Sequence, residues 1–376
     1  MTLIESFKAM EIGRLAISLE NQGRDIIHME YGQPTAALPP SVKQAVQSVI
    51  EEGVPGYWES DALRQALVDD YAKRYGANVR AEQIFLTCGA SPALVLALSS
   101  GFSPGARIAM ASPGYVAYRN TVRGLGMVAV ELDCGAESRF QITAAKIAEL
   151  SPLPDGVIVA SPANPTGTII PPDEMRAIAS LCEKQGVRLI SDEIYHRLSF
   201  GQTTLSMSSL SPQAFVINSF SKYFCLPGWR IGWLIAPEDM IESVNARLTN
   251  YFLSAPSLSQ TAALAAFKET VYFDGFLDVY KRNRDLMLST LPALGFAKIA
   301  PPDGAFYIYT DISQFSDNSL EFCKKLLIDT GVATTPGLDF DSVNGHKYMR
   351  LSYPQNTEQV ETALGRIEDW IKTNYA

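Results

Sequence analysis

The sequence of 376 residues predicts an α/β protein: a large domain on a mostly parallel sheet sandwiched by helices, followed by a smaller α+β domain. Three observations predict it. Between about residues 80 and 235, short apolar and β-branched runs alternate with helical patterns, as in a sheet covered on both faces. The last hundred residues mix one long helical pattern with separate strands. The length also exceeds that of one ordinary domain.

The elements follow in order. QIFLTC (83–88) reads as a strand and leads into CGASPALVLAL, where a glycine turn opens a helix that starts with Ser91 and Pro92. ARIAMASP (106–113) precedes the helical YVAYRNTVRGLG. DGVIVASP (155–162) precedes PDEMRAIASLCEKQG, with Asp173 near the helix start and Gly186 as its C-cap. VRLISDE (187–193) and AFVINSFS (214–221) supply further strands. A long helix is expected over about 274–292, then PDGAFYIYTDI, a helix around 318–330, KYMRLSY, and an amphipathic helix around 357–373. The first thirty or so residues contain an isolated helix and are expected to join the smaller domain. The expected boundaries are therefore 1–35, 36–275 and 276–376.

Composition excludes several classes. Lys plus Arg is 31 and Asp plus Glu is 40, so the formal charge is 31 − 40 = −9; without a basic cluster, nucleic acid is not an expected partner. The opening MTLIESFKAMEIGRL carries Glu5 and Glu11 and no unbroken apolar core, so it does not read as a signal peptide. No apolar run reaches the ~18 residues of a membrane span. The cysteines (88, 134, 182, 225 and 323) form no CxxC pair, and His28, His196 and His346 stand alone. No disulfide or metal site is expected, and a reducing cytoplasm is.

Three strand ends carry polar groups: SPANPTG (161–167), SDEIY (191–195) and SFSK (219–222). Singly they read as a turn, a helix cap and a snorkelling lysine. In a parallel sheet, however, these ends share one edge, where ligands bind. Asn164, Asp192, Tyr195 and Lys222 can then converge, beside a helix N-terminus at Ser91 that offers a phosphate seat. A lysine in apolar surroundings loses its proton readily and attacks carbonyls. An aldehyde, a phosphate and a basic ring nitrogen would use every part, which points to pyridoxal 5′-phosphate.

At these residues the chain resembles the pyridoxal-phosphate-dependent aminotransferases of class I/II, the fold-type-I, aspartate-aminotransferase-like group. The matching stretches are YGQP (31–34), TCGAS (87–91), SPGYVAY (112–118), SPANPTG, SDEIY, SFSKYFCLPGWRIGW (219–233), PDGAFY (302–307) and MRLSY (349–353). The resemblance makes 36–275 the cofactor-binding domain. It implies that Lys222 anchors the cofactor and moves the substrate proton, and that Asp192 pairs with the ring nitrogen. Asn164 and Tyr195 would meet the ring's 3-oxygen, and Tyr115 would stack on the ring. Gly89, Ala90, Ser91, Ser219 and Arg230 would hold the phosphate. Arg350 would bind the substrate α-carboxylate as a fork, with Asn164 beside it and Gly32 in the loop that covers it. Tyr57 would reach the phosphate of a neighbouring subunit, which implies a homodimer with shared sites. After Tyr57 this chain departs from the family pattern: YWES runs straight into DALRQAL without the usual longer loop.

The implied activity is transfer of an amino group from an L-amino acid to a 2-oxo acid by a ping-pong cycle. The alternatives are a carbon–sulfur β-lyase on the same cofactor and a non-catalytic domain that senses it. A dehydrogenase is disfavoured because no GxGxxG follows a candidate first strand. Side-chain specificity is expected from 31–38, the surroundings of Tyr57, and 251–260. Cys88, Cys225, His196 and Trp229 read as packing residues.

Overall fold

The computed structural model describes residues 4, 6–53 and 55–375. Glu5, used in reading the leader, lies outside the described residues, as do the first three positions of the 1–35 segment. In chain order the helices are α1 (Lys8–Glu20), α2 (Pro40–Glu52), α3 (Asp61–Tyr75), α4 (Ala90–Gly101), α5 (Val116–Gly124), α6 (Ala144–Ala148), α7 (Pro172–Gln185), α8 (Ile241–Tyr251), α9 (Ser257–Ala266), α10 (Thr270–Thr290), α11 (Ser319–Thr330) and α12 (Thr357–Tyr375). The strands are β1 (Ile27–His28), β2 (Ile84–Thr87), β3 (Arg107–Ser112), β4 (Val128–Asp133), β5 (Gly156–Ala160), β6 (Arg188–Asp192), β7 (Phe215–Ser219), β8 (Gly232–Ile235), β9 (Tyr307–Asp311), β10 (Val332–Ala333), β11 (Thr335–Pro336) and β12 (Tyr348–Ser352).

Seven strands form the central sheet in the order β2-β8-β7-β6-β5-β3-β4. All run parallel except β8, which is antiparallel to β2 and β7. The continuous apolar runs have the expected cause. Val157, Val159, Leu189 and Val216 enter one core, and Ile158, Ile190, Phe215 and Ile217 enter another, so alternate residues feed opposite faces. Helix α7 starts on prolines with Asp173 and Glu174 in its first turn and ends on Gly186 at φ 67°, as its sequence predicts.

The smaller unit centres on the antiparallel sheet β11-β12-β9. The N-terminal segment packs against it: β1 pairs with β10, the amides of Lys8 and Ala9 bond the Asp339 carboxylate (2.6 Å each), and the Ser352 amide bonds the Met29 carbonyl (2.8 Å). The Ser352 contact places the Met29–Gly32 chain beside β12. Five strands escaped the sequence reading: β1, β10 and β11, of two residues each, and β4 and β8. Strand β4 is an edge strand that is mostly half-buried, so its pattern lacks the continuous apolar run. Strand β8 begins at Gly232, within the GWRIGW stretch, and runs on to Ile235.

Candidate active site

The carboxyl ends of β2, β5, β6 and β7 lie on one edge of the sheet. Because β8 is antiparallel, it delivers its opposite end there: Gly232 pairs with both Thr87 and Ser219. Arg230, two residues before Gly232, thus arrives beside residues some 140 positions away in sequence, and its Nη2 donates to the Cys88 carbonyl (3.2 Å). A cavity of about 350 Å³ opens at this edge. Its wall includes Gly32, Ala90, Ser91, Tyr115, Asn164, Asp192, Tyr195, Lys222, Arg230 and Arg350.

The candidate anion seat is the N-terminus of α4. The helix begins at Ala90, two residues before the expected first position Pro92, and the cap is Gly89 (φ 97°, ψ 179°) rather than Ser91, so there is no side-chain cap. The first amides of α4 therefore have no capping side chain and face an anion site together with the helix dipole. A Cβ on Gly89 would sit 2.5 Å from Arg230 Nη2, so the glycine leaves room for the guanidinium. Arg230 itself is held at φ 53°, an unfavourable conformation for a residue with a Cβ.

Lys222 is half-buried and donates from Nζ to the Gly32 carbonyl (2.6 Å). Burial, then the charge of Arg350, lowers its pKa to about 8. Asp192 is buried; its Oδ2 accepts from the Tyr118 hydroxyl (2.6 Å) and its Oδ1 from the Ile194 amide (3.1 Å). Burial pushes its carboxyl up, against those hydrogen bonds. Tyr195 shares a hydroxyl hydrogen bond of 2.6 Å with Tyr307. The Tyr115 ring meets Tyr118 edge-on at 5.5 Å.

Arg350 projects from β12, where it pairs with Tyr309 and Thr335. It is 5% exposed, which removes the surface-strand reading. Its Nη1 donates to Asn164 Oδ1 (2.8 Å), and its Nη2 to the Glu30 carbonyl and Thr335 Oγ1. Tyr307 lies under the guanidinium at 4.5 Å. Among the described residues Arg350 Nε is buried without a partner.

Three predicted residues stand off the cavity wall. Gly89 shapes the seat from behind. Ser219 is buried, with its hydroxyl bonded to the Ile231 carbonyl (2.9 Å) and to Ser221 Oγ (2.8 Å); Ser221 is the serine on the wall. Tyr57 is 85% exposed, away from this chain's own cavity. Sequence reasoning missed Tyr118, Tyr307, Ser221 and Glu30. Tyr118 had a signal: three positions after Tyr115, it shares that residue's helix face. His196 is buried and bonds Tyr75 (2.8 Å) outside the cavity wall.

A doubly covered parallel sheet that gathers a lysine of lowered basicity, a buried acid and an anion seat at one carboxyl edge is the fold-type-I enzyme architecture. The comparisons narrow the class. The family model for aminotransferase class I and II matches residues 24–367. A valine–pyruvate aminotransferase of Mycobacterium tuberculosis is 43% identical, over 98% of this chain and 97% of that one. A crystal structure of an aminotransferase from the same organism superposes with a TM-score of 0.96 at 42% identity, covering 98% and 97% of the two chains. The aspartate aminotransferase of Thermus thermophilus with maleate gives 0.90 at 29% identity, over 97% of each. The chain belongs to the class I and II aminotransferase family and is a transaminase.

Proposed function

We propose that this aminotransferase works with pyridoxal 5′-phosphate, the cofactor of its family, and takes neutral aliphatic L-amino acids, with pyruvate as an acceptor. Three features favour the cofactor: an uncapped helix end beside Arg230, a glycine where a Cβ would displace that arginine, and a buried carboxylate suited to a cationic ring N–H. Ala90, Ser91, Ser221 and Arg230 would hold the phosphate, with Ser219 behind them bonded to the Ser221 hydroxyl. Asp192 would face the ring nitrogen, Asn164 and Tyr195 the ring oxygen, and Tyr115 the ring face. When bound, the cofactor supplies an aldehyde for Lys222 and an electron-withdrawing ring that stabilises charge at the substrate α-carbon. Lys222 Nζ, whose lowered pKa leaves a share of neutral amine near pH 7, takes the α-proton and returns it. Arg350 orients the α-carboxylate.

One observation carries the substrate class. Among the described residues on the cavity wall, the cationic side chains are Lys222, Arg230 and Arg350. Each has a role in the reading above, and none remains for a side-chain carboxylate. The name of the Mycobacterium tuberculosis relative agrees. The reading includes a cytoplasmic homodimer in which Tyr57 reaches the partner's phosphate, with the domain division at about 36 and 276. No helix among the described residues is long and apolar enough to cross a membrane.

The test is a half-reaction screen that follows the visible absorbance of the holoenzyme. Valine and alanine should react with at least tenfold higher kcat/KM than aspartate; the reverse order overturns the substrate class. Borohydride should fix the cofactor to Lys222, and Lys222→Ala should abolish turnover. A protein that takes up no cofactor refutes the reading.

A further inference from the structure

An ion chain behind Arg350 has no part in the chemistry above. Glu30 is fully buried and belongs to the cavity wall. Its Oε1 accepts from His28 Nδ1 (2.7 Å), and His28 Nε2 reaches Glu20 Oε1 at the end of α1 (3.1 Å). Among the described residues Glu30 Oε2 has no partner. A buried carboxylate held by a single partner is costly, so its position asks for a use. The main chain of the same residue offers one. The Glu30 carbonyl accepts both Arg350 Nη2 and Thr335 Oγ1, the latter at 2.8 Å. The His28 carbonyl is in turn bonded by Gln355 Nε2.

We propose that Glu30 is a positioning residue for carboxylate recognition: the chain Glu20–His28–Glu30 fixes the Glu30 carbonyl, and with it the Arg350 guanidinium, at the substrate end of the cavity. Strand β1 is only two residues long, with two register pairs to β10, so its backbone ladder alone fixes little. The side-chain chain adds anchors at both ends, one on α1 and one in the wall. Helix α1 contributes Ala9 and Met10 to the same wall, so the link ties that helix to the arginine. The charged groups facing His28 are Glu20 from α1 and Glu30 on its own segment, with the Tyr31 ring stacked at 6.5 Å; the paired residues of β10 are Val332 and Ala333. The Glu30 bond, opposed by burial and helped by the charges of Glu30 and Glu20, raises the His28 pKa to about 9, so it is cationic at neutral pH.

The proposal rests on the assignment of the substrate α-carboxylate to Arg350, and the test separates the two. Holoenzyme variants are assayed for kcat, for KM of valine, and for Ki of isovalerate, which carries the carboxylate without the amine. Glu30→Ala should raise KM and Ki together by about tenfold, the worth of a charge-assisted hydrogen bond, with kcat within about threefold. Glu30→Gln, which keeps an acceptor for His28, should recover most of the loss. Glu20→Gln, an exposed change with little risk to folding, should raise both by about twofold to threefold. If Arg350→Ala abolishes isovalerate inhibition while the Glu30 and Glu20 variants leave KM and Ki unchanged, the proposal is overturned and the arginine assignment stands. A fall in kcat without a rise in Ki also overturns it. If Arg350→Ala itself leaves Ki unchanged, the arginine assignment is what fails, and the proposal falls with it.

Discussion

Substituting Gly89 with alanine tests the anion seat most directly. The residue sits at φ 97° and ψ 179°, a region that residues with a Cβ scarcely enter; forcing one in costs about 1–3 kcal/mol. The new Cβ would lie 2.5 Å from Arg230 Nη2. The guanidinium must then move, giving up its bond to the Cys88 carbonyl and its place beside the first turn of α4. A hydrogen bond to a charged group contributes about 1.5–3 kcal/mol, so affinity for pyridoxal phosphate should fall about tenfold to 150-fold. Titration of the apoenzyme with the cofactor, followed by its visible absorbance, measures this. Gly186→Ala is the control. It strains the end of α7 at φ 67° with nothing within 4 Å of the added atom. It should lower the melting temperature while leaving cofactor affinity intact. Cofactor affinity for Gly89→Ala within twofold of wild type would refute the placement of the phosphate at this turn.

Three further outcomes are expected. Tyr118→Phe removes the hydroxyl that lowers the Asp192 pKa against burial, so that carboxyl rises further; kcat/KM should fall about tenfold or more and the acid limb of its pH profile should move to higher pH, whereas an unmoved limb would sink the assignment. In the apoenzyme, Lys222 should react with an amine-selective reagent along a curve centred near pH 8, the value set first by burial; an inflection above pH 10 contradicts the site's electrostatics. His28 is raised to about 9 by Glu30, so its contribution is fully present below its unfolded value of about 6.5 and is lost as pH rises through 9. With a third of its side chain exposed, screening leaves about 1–2 kcal/mol, and the stability gap between wild type and His28→Gln should close between about pH 7 and pH 9.5.

What the sequence revealed followed from burial. Strands β5, β6 and β7 were legible because both faces are covered and their apolar runs are unbroken. Edge strand β4, with Val128 exposed, carries no such run. Lys222, Asp192, Asn164 and Arg230 were legible because strand ends and the GWRIG spacing mark them. Arg350 was harder, since an alternating strand does not tell which face is wet. Tyr307 was hidden in an ordinary buried strand, although its hydroxyl meets Tyr195 and its ring supports Arg350. Glu30 and His28 were invisible because their partners lie on another element and in the wall behind the arginine. Local patterns report exposure and chain direction; they do not report which distant carbonyl receives a guanidinium.

The arrangement of the acid and the base follows from separate partners. A lysine and an aspartate at neighbouring strand ends would ordinarily collapse into an ion pair, which would hold the amine protonated. Here Lys222 Nζ is taken by the Gly32 carbonyl, a neutral acceptor, and Asp192 by Tyr118 and the Ile194 amide. Burial is then the largest influence on each, pushing the lysine down and the acid up against the weaker attraction between their charges. Two groups whose charges are both disfavoured are poised for complementary tasks: the amine to give up and accept a proton, the acid to receive a cationic N–H. Gly32 matters twice in this account. Its carbonyl holds the lysine, and a Cβ there would sit 1.8 Å from the Tyr307 hydroxyl, breaking the contact with Tyr195 on the other side of the site. The loop that supplies the neutral acceptor therefore carries glycine where a side chain would strike the Tyr307 hydroxyl.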